Sequence, residues 1–345
     1  MTTANELNIL EEDAKNICSR VDFSLLKNKT ILITGASGLI GVHLVACLRL
    51  ISSKIPFKLI AVIHSDPAGF FKSLTDFSGA EIFKGDITDY SFCKNLPQSD
   101  FIIHAAGFGQ PLKFMESPHT TLKLNTFSTF LLFDKLNTDG HFLFVSSSEV
   151  YSGLKGGKYK EDQIGVSNTT DSRSCYIEGK RAGEAICMAY RKKGIKATSA
   201  RLAHTYGPGT KPGDARVIMS FIEKAIKGRI QMLDKGKALR TYCYSEDAVE
   251  YLWNMLFSAK EPVYNVAGKS QTSILALAEK IGKQLNVPVL IPDSDNGVAG
   301  APEEVQLDME KAEKEFNKTS YISLDEGLKR TIKWVTNQLS DEPKF

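Results

Sequence analysis

The chain lacks any pair of cysteines two residues apart: its six cysteines stand scattered at positions 18, 47, 93, 175, 187 and 243. That scatter removes the common zinc-binding spacings, so no metal is expected, and it makes reduced thiols in a cytoplasmic protein the plain expectation. Long apolar runs are missing as well. Stretches such as Ile31 to Ile33 and Phe101 to Ile103 are strand-sized and far too short to cross a bilayer, so no membrane partner is expected. The start, Met1-Thr2-Thr3-Ala4-Asn5-Glu6-Leu7, has none of the apolar centre of a secretory leader. Charge of one sign is also absent: 43 basic and 40 acidic residues leave +3 over 345 residues, with no basic stripe or polybasic tail. Nucleic acid is therefore not an expected partner.

What is present is an alternation of periods. Leu7, Leu10, Ala14 and Ile17 fall at helical spacing, so residues 1–26 read as a helical extension packed outside the main fold. From Lys29 the pattern changes. Residues 30–34, 59–63, 81–83, 101–103 and 142–145 are apolar strand-like runs, and 39–51 and 121–136 read as helices between them. Continuous apolar strands alternating with helices predict an α/β fold: a Rossmann-type doubly wound parallel sheet covered on both faces. The expected division is a dinucleotide-binding domain over 27–203 plus 241–263, and a smaller C-terminal substrate-binding lobe over 204–240 plus 264–337. Residues 152–174, rich in Gly, Ser, Asp and Thr, read as a surface loop of the kind that borders active sites.

Gly35-Ala36-Ser37-Gly38-Leu39-Ile40-Gly41 follows the first strand and opens the first helix. Gly35 permits the tight turn, Gly38 lets the backbone approach a pyrophosphate and Gly41 allows close helix packing, while the helix N-terminus offers N–H groups to phosphate. Ser37, Leu39 and Ile40 belong to the same cofactor turn. After the third strand, Asp86 and Ile87 offer a second contact. Asp86 reads equally as an acceptor for an adenine amino group or as a helix cap. The second strand runs into His64-Ser65-Asp66, so the ribose-binding acid is either late or missing, and no arginine stands there for a 2′-phosphate. NAD is favoured over NADP.

Ser146-Ser147-Ser148-Glu149-Val150-Tyr151 ends the strand at 142–145, where open α/β sheets bind ligands. Tyr176 and Lys180 lie four apart on one helix face, and an ammonium beside a phenol favours the phenolate. Together with Gly35/Gly38/Gly41, Gly85-Asp86, His104-Ala105-Ala106-Gly107, Asn125, Arg201, Tyr206-Gly207-Pro208, and Arg240 followed by Tyr244-Ser245-Glu246-Asp247, these motifs resemble the extended short-chain dehydrogenase/reductase family. The resemblance covers about residues 29–335 and implies an NAD-dependent nucleotide-sugar epimerase or dehydratase acting in polysaccharide biosynthesis.

It also implies roles. Tyr176 would be the base for the sugar 4-hydroxyl, Lys180 would hold the nicotinamide ribose, and Ser147 would bond the same hydroxyl. Ala105, Ala106, Gly107 and Asn125 would join the cofactor site, which Tyr176 and Lys180 would also touch. Ser148, His204, Arg216 and Arg240 would meet the substrate, Arg240 at its diphosphate. Relatives usually pair through the helices carrying 121–136 and 176–191, so a homodimer is the default, and Met188 and Tyr190 read as core or interface.

Glu149 bears on the branch. Oxidation at C4 acidifies the C5 proton, which a carboxylate there would remove, whereas a simple 4-epimerase needs no such base. Residues 147–151 look most like the UDP-glucuronate decarboxylase and GDP-mannose dehydratase versions, and Cys175 to Arg181 and Asp214-Ala215-Arg216-Val217 look like the decarboxylases. Three departures stand against direct transfer. Ser148 occupies the place of a dehydratase aspartate, His204 replaces a common asparagine, and Pro302–Asp308 lacks the arginine that would bind a sugar carboxylate. The alternatives are a decarboxylase-like enzyme, a simple 4-epimerase, or a non-catalytic NAD-binding sensor built on the same fold.

Overall fold

The computed structural model describes residues 2–293 and 304–339. Its main sheet has seven strands, all parallel to their neighbours, in the order Val263–Val266, Lys196–Leu202, Leu136–Ser147, Ser99–His104, Thr30–Thr34, Lys58–Ile63, Ala80–Lys84. The doubly wound α/β architecture is the expected one. Helices cover both faces, so central residues such as Ile31, Leu32, Ile33, Ile102 and Ile103 are wholly buried, which is why these strands read as unbroken apolar runs. The strand order reverses between Thr30–Thr34 and Ser99–His104. At such a reversal the chains leaving neighbouring strands turn to opposite faces and open a crevice at the carboxyl ends.

Two expected element boundaries are corrected. The helix expected over 121–136 is two, Pro118–Asn125 and Phe127–Phe133, parted at Thr126 (φ −115°, ψ −73°). Around the break Asn125, Thr126 and Thr129 turn their side chains back onto the carbonyls of Thr121, Leu122 and Asn125, a competition with the backbone ladder that bends helices. The following strand starts six residues early, because Leu136 already pairs with Ser99 across an irregular register. The polar run Asn137-Thr138-Asp139 concealed that start.

The N-terminal helix, Thr2–Arg20, does not pack outside the main fold. Ile9, Leu10, Ala14 and Ile17 are buried in the central core, against helices Leu39–Ile51, Ser245–Ser258 and Leu324–Leu339. Polar residues seal the junction. Arg20 donates to Glu246 and Glu250, both at 2.7 Å, and Arg330 reaches Asp13 at 2.7 Å.

A smaller sheet centres on Leu239–Tyr244, which pairs antiparallel with Ser270–Ser273 and parallel with His204–Tyr206 and Glu304–Leu307. Lys158–Tyr159, inside the 152–174 loop, adds to Glu304–Leu307. The divides expected at 240/241 and 263/264 therefore each cut a strand: Leu239–Tyr244 lies wholly in the smaller sheet and Val263–Val266 wholly in the larger.

Candidate active site

The glycine-rich turn is shaped by contacts that only glycine tolerates. Gly35 has φ +67°, and a Cβ there would come within 2.9 Å of the Ala105 carbonyl and the Ala106 backbone. A Cβ on Gly41 would lie 2.3 Å from the Gly35 carbonyl, so the helix Leu39–Ile51 starts hard against the turn. Among the described residues a Cβ on Gly38 would meet only Gly35 O, at 3.2 Å, and no side chain caps the helix. The backbone around Gly38 is thus left open to a phosphate at a helix N-terminus.

The floor of the crevice is tied by a relay. Ala106 N–H donates to Thr34 Oγ1 at 3.2 Å, Thr34 Oγ1 donates to His104 Nδ1 at 2.8 Å, and His104 Nε2 donates to Leu124 O at 2.8 Å. Burial holds His104 neutral, pushing it down to about 3. Asn125 donates to Thr121 O while its Oδ1, among the described residues, is buried without a partner, a polar atom that a bound group would satisfy. Asp86 is exposed and accepts from Thr88 N at 2.8 Å. It is not the helix cap: Asp89 caps Tyr90–Lys94 by accepting from Phe92 N. Ile87 is buried beneath it. Asp66 forms an ion pair with Lys84 at 2.6 Å beyond the strand ends. The turn, the open helix start and the orphan amide together fit a dinucleotide.

Tyr176 and Lys180 sit on the helix Ser174–Arg191, which lies against the strand Leu136–Ser147. Gly179 and Gly183 let this helix approach Asn125 and Phe144 closely, since a Cβ on Gly183 would be 2.3 Å from the Phe144 ring. Lys180 Nζ donates to Val145 O at 2.8 Å and lies 5.6 Å from the Tyr176 ring centre. It stands beside Gly107, whose added Cβ would be 3.7 Å from Nζ. Ser147 lies near enough to the Tyr176 phenol to pull its pKa down.

The expected lowering of the phenol by Lys180 is not what this structure contains. Burial pushes Tyr176 up to about 12, and the opposing pull comes from Ser147, Arg216 and Arg173. Burial likewise pushes Lys180 down to about 7, so near neutral pH its own charge is only partial.

Glu149 lies in the short turn Ser148–Tyr151 that ends the same strand. Its Oε2 accepts from Arg173 Nη2 at 2.9 Å and from Ser152 Oγ at 3.2 Å. Ser148 is buried in that turn. Across the crevice are His204, whose ring is 6.0 Å from Tyr242, and Arg240, buried in the smaller sheet. Burial and Arg240 push His204 down to about 4, with Arg216 and Arg173 acting in the same sense and Glu149 against them. Arg216 is clasped by Asp214, with Nη2 to Oδ2 at 2.8 Å, and donates to Thr205 O. Of Pro302–Asp308, residues 302 and 303 lie outside the described residues. The arrangement places a phenol, a lysine, a carboxylate and three guanidinium groups around one crevice beside the glycine turn.

A family model described as the NAD dependent epimerase/dehydratase family matches residues 31–267. The chain belongs to this family. Among relatives, UDP-glucuronic acid decarboxylase 1 of Arabidopsis thaliana is 30% identical over 322 residues, covering 92% of this chain and 72% of that protein. An epimerase from Methanothermobacter thermautotrophicus shares the fold with a TM-score of 0.80 at 22% identity, over 94% of this chain and 96% of its own. UDP-glucuronic acid 4-epimerase from Bacillus cereus, solved with UDP-glucuronic acid and NAD, has a TM-score of 0.75 at 25% identity, covering 90% and 99%.

This epimerase/dehydratase family member is an NAD-dependent enzyme. Other motif residues prove to be scaffold. Arg201 grips Glu184 through Nε and Nη2 and donates to the Tyr151 hydroxyl at 2.8 Å, while Ser146 donates to the same Glu184. That buried cluster fixes the strand end carrying Ser147. Two neighbours of the site escaped the sequence reading. Phe114 stacks on Tyr176 at 4.6 Å with 10° between the rings, and Arg173 binds Glu149. No local pattern marks either, because each meets its partner only through the fold.

Proposed function

We propose that this enzyme acts on a nucleotide-diphosphate sugar, oxidising it transiently at C4 and then removing the C5 proton. The observation that carries the reading is the meeting of Ser147, Tyr176 and Glu149 at one strand end beside the glycine turn. NAD, when bound, supplies the acceptor for the C4 hydride and returns that hydride at the end of turnover.

The chain's own residues do the rest. Gly35, Ser37, Gly38, Leu39, Ile40 and Gly41 would hold the pyrophosphate, with Asp86 and Ile87 at the adenosine side and Ala105, Ala106, Gly107 and Asn125 along the crevice. Ser147 orients the sugar 4-hydroxyl, and Tyr176 takes its proton. Because burial holds Tyr176 at about 12, it needs added positive charge to act near neutral pH; Arg216 and Arg173 already pull in that direction, and Lys180 beside Gly107 would hold the nicotinamide ribose. Glu149 accepts the C5 proton once C4 is a ketone. Arg240 and Arg216 face the diphosphate, with Ser148 and His204 lining the sugar pocket.

A decarboxylating variant of the same chemistry is the second reading, supported by the identity to UDP-glucuronic acid decarboxylases. The proposal includes the two-lobed division of the chain, the cytoplasm as its location and a homodimer. Leu122, Phe127, Phe130 and Met188, exposed on neighbouring helices, support the last.

The test is incubation of pure protein with UDP-, GDP-, CDP- and dTDP-sugars followed by mass spectrometry. Loss of water gives a dehydratase, and loss of carbon dioxide a decarboxylase. An unchanged mass with a new anomeric NMR signal gives an epimerase. No change with any sugar refutes the reading.

A further inference from the structure

We infer that Arg173 is a positioning residue: it anchors one oxygen of Glu149 and so presents the other as the proton acceptor at the sugar. The inference rests on the reading that Glu149 takes the C5 proton. Arg173 Nη2 and Ser152 Oγ both donate to Glu149 Oε2, at 2.9 and 3.2 Å. Among the described residues no hydrogen bond is made to Oε1. A carboxylate held by one oxygen keeps its charge and its orientation, while the other oxygen retains its lone pairs for chemistry.

Arg173 is itself held in place. It immediately precedes the helix Ser174–Arg191, and its backbone N–H donates to Asp171 Oδ1 at 2.7 Å. Its guanidinium carbon lies 5.5 Å over the Phe114 ring, and the other face of the arrangement is the Phe114–Tyr176 stack. Cys175 Sγ donates to Phe114 O at 3.4 Å, which ties the Phe114 backbone to the start of the same helix. One helix end therefore carries the phenol at Tyr176 and, one turn earlier, the cation that aims the carboxylate. Both pair members are partly exposed, at 28% and 19%, as groups beside an open crevice would be.

In the step concerned, the C5–H bond breaks and an O–H bond forms on Glu149 Oε1. The electron pair moves toward the C4 ketone made by prior transfer of the C4 hydride to NAD. Without Arg173 the carboxylate swings, and proton removal suffers more than the oxidation that precedes it.

The experiment uses the full-length NAD-loaded enzyme in deuterium oxide with UDP-glucuronic acid, UDP-glucose, GDP-mannose and dTDP-glucose. C4 oxidation is followed by absorbance of the reduced nicotinamide, and solvent deuterium at C5 by mass spectrometry. For Arg173→Ala the ratio of C5 exchange to C4 oxidation should fall roughly 10- to 100-fold, the worth of one hydrogen bond to a charged group. Arg173→Lys should recover part of it, and in a Glu149→Gln background Arg173→Ala should change the ratio no further. If the wild type exchanges at C5 and Arg173→Ala leaves the ratio unchanged, or lowers both steps alike together with the melting temperature, the positioning role is overturned. If the wild type oxidises no sugar, or oxidises without C5 exchange, the underlying reading falls and takes this inference with it.

Discussion

Asp13 Oδ2 lies 3.6 Å from His43 Nδ1, and both side chains are sealed from solvent. A carbonyl only accepts, so His43 Nε2, 2.8 Å from Pro208 O, carries the ring hydrogen. Nδ1 then has no hydrogen-bond partner among the described residues and faces the carboxylate. Asp13 also accepts from the Tyr244 hydroxyl at 2.8 Å and from Arg330. Burial, helped by Glu246, pushes Asp13 up to about 7, and burial pushes His43 down to about 4. The N-terminal helix is thereby joined to the helix Leu39–Ile51 and, through Pro208, to the turn that follows His204–Tyr206.

That pair makes stability depend on pH. The folded pKa of Asp13 lies above the ordinary 3.8, so between about 4 and about 7 the folded state binds the extra proton and this contribution is lost as pH rises. His43 works the opposite way between about 4 and 6.5, because only the unfolded chain protonates it there. In Asp13→Asn the first contribution disappears. Urea unfolding across that range should show the stability of wild type relative to Asp13→Asn declining with pH, at most by about 1.4 kcal/mol per unit. A constant difference would show that Asp13 is ionised throughout.

Tyr176→Phe removes the phenol and keeps the stack on Phe114. Turnover should fall by about 10² to 10⁴, the range for loss of a positioned acid or base, while NAD affinity stays near wild type. Kinetics alongside calorimetric titration with NAD separate the two. Equal loss in both would assign Tyr176 to cofactor binding.

Gly41→Ala places a methyl 2.3 Å from the Gly35 carbonyl, which is backbone and has little freedom to move. The helix start must shift, at a cost of about 1–3 kcal/mol for overpacking. A lower melting temperature and weakened NAD binding should appear together. Unchanged NAD binding would mean that the turn does not carry the pyrophosphate.

Phe130→Asp places a charge on the exposed face shared with Leu122 and Met188. Sedimentation should show a homodimer for the wild type and a monomer for the variant, since a desolvated unpaired charge at an interface centre costs several kcal/mol. A monomeric wild type would remove the dimer from the proposal.

Much of the site was legible from neighbouring residues. The glycine turn is read from three residues in a row of seven between a strand and a helix, and Tyr176 and Lys180 share a helix face by spacing alone. Those relationships live within one element, where backbone geometry follows from local composition and period. The break at Thr126 was not legible, because three side chains there bond back to the helix that contains them.

What only the packed chain decides is which groups are paired and charged. Arg173 meets Glu149, Phe114 covers Tyr176, and Asp13 faces His43 across segments that no sequence spacing relates. Tyr176 shows the consequence: a neighbouring lysine suggests a lowered phenol, yet burial raises it to about 12 and lowers Lys180 to about 7. Desolvation belongs to the whole environment of a group. Residue order can set the members of a site side by side, but their charge follows from everything folded around them.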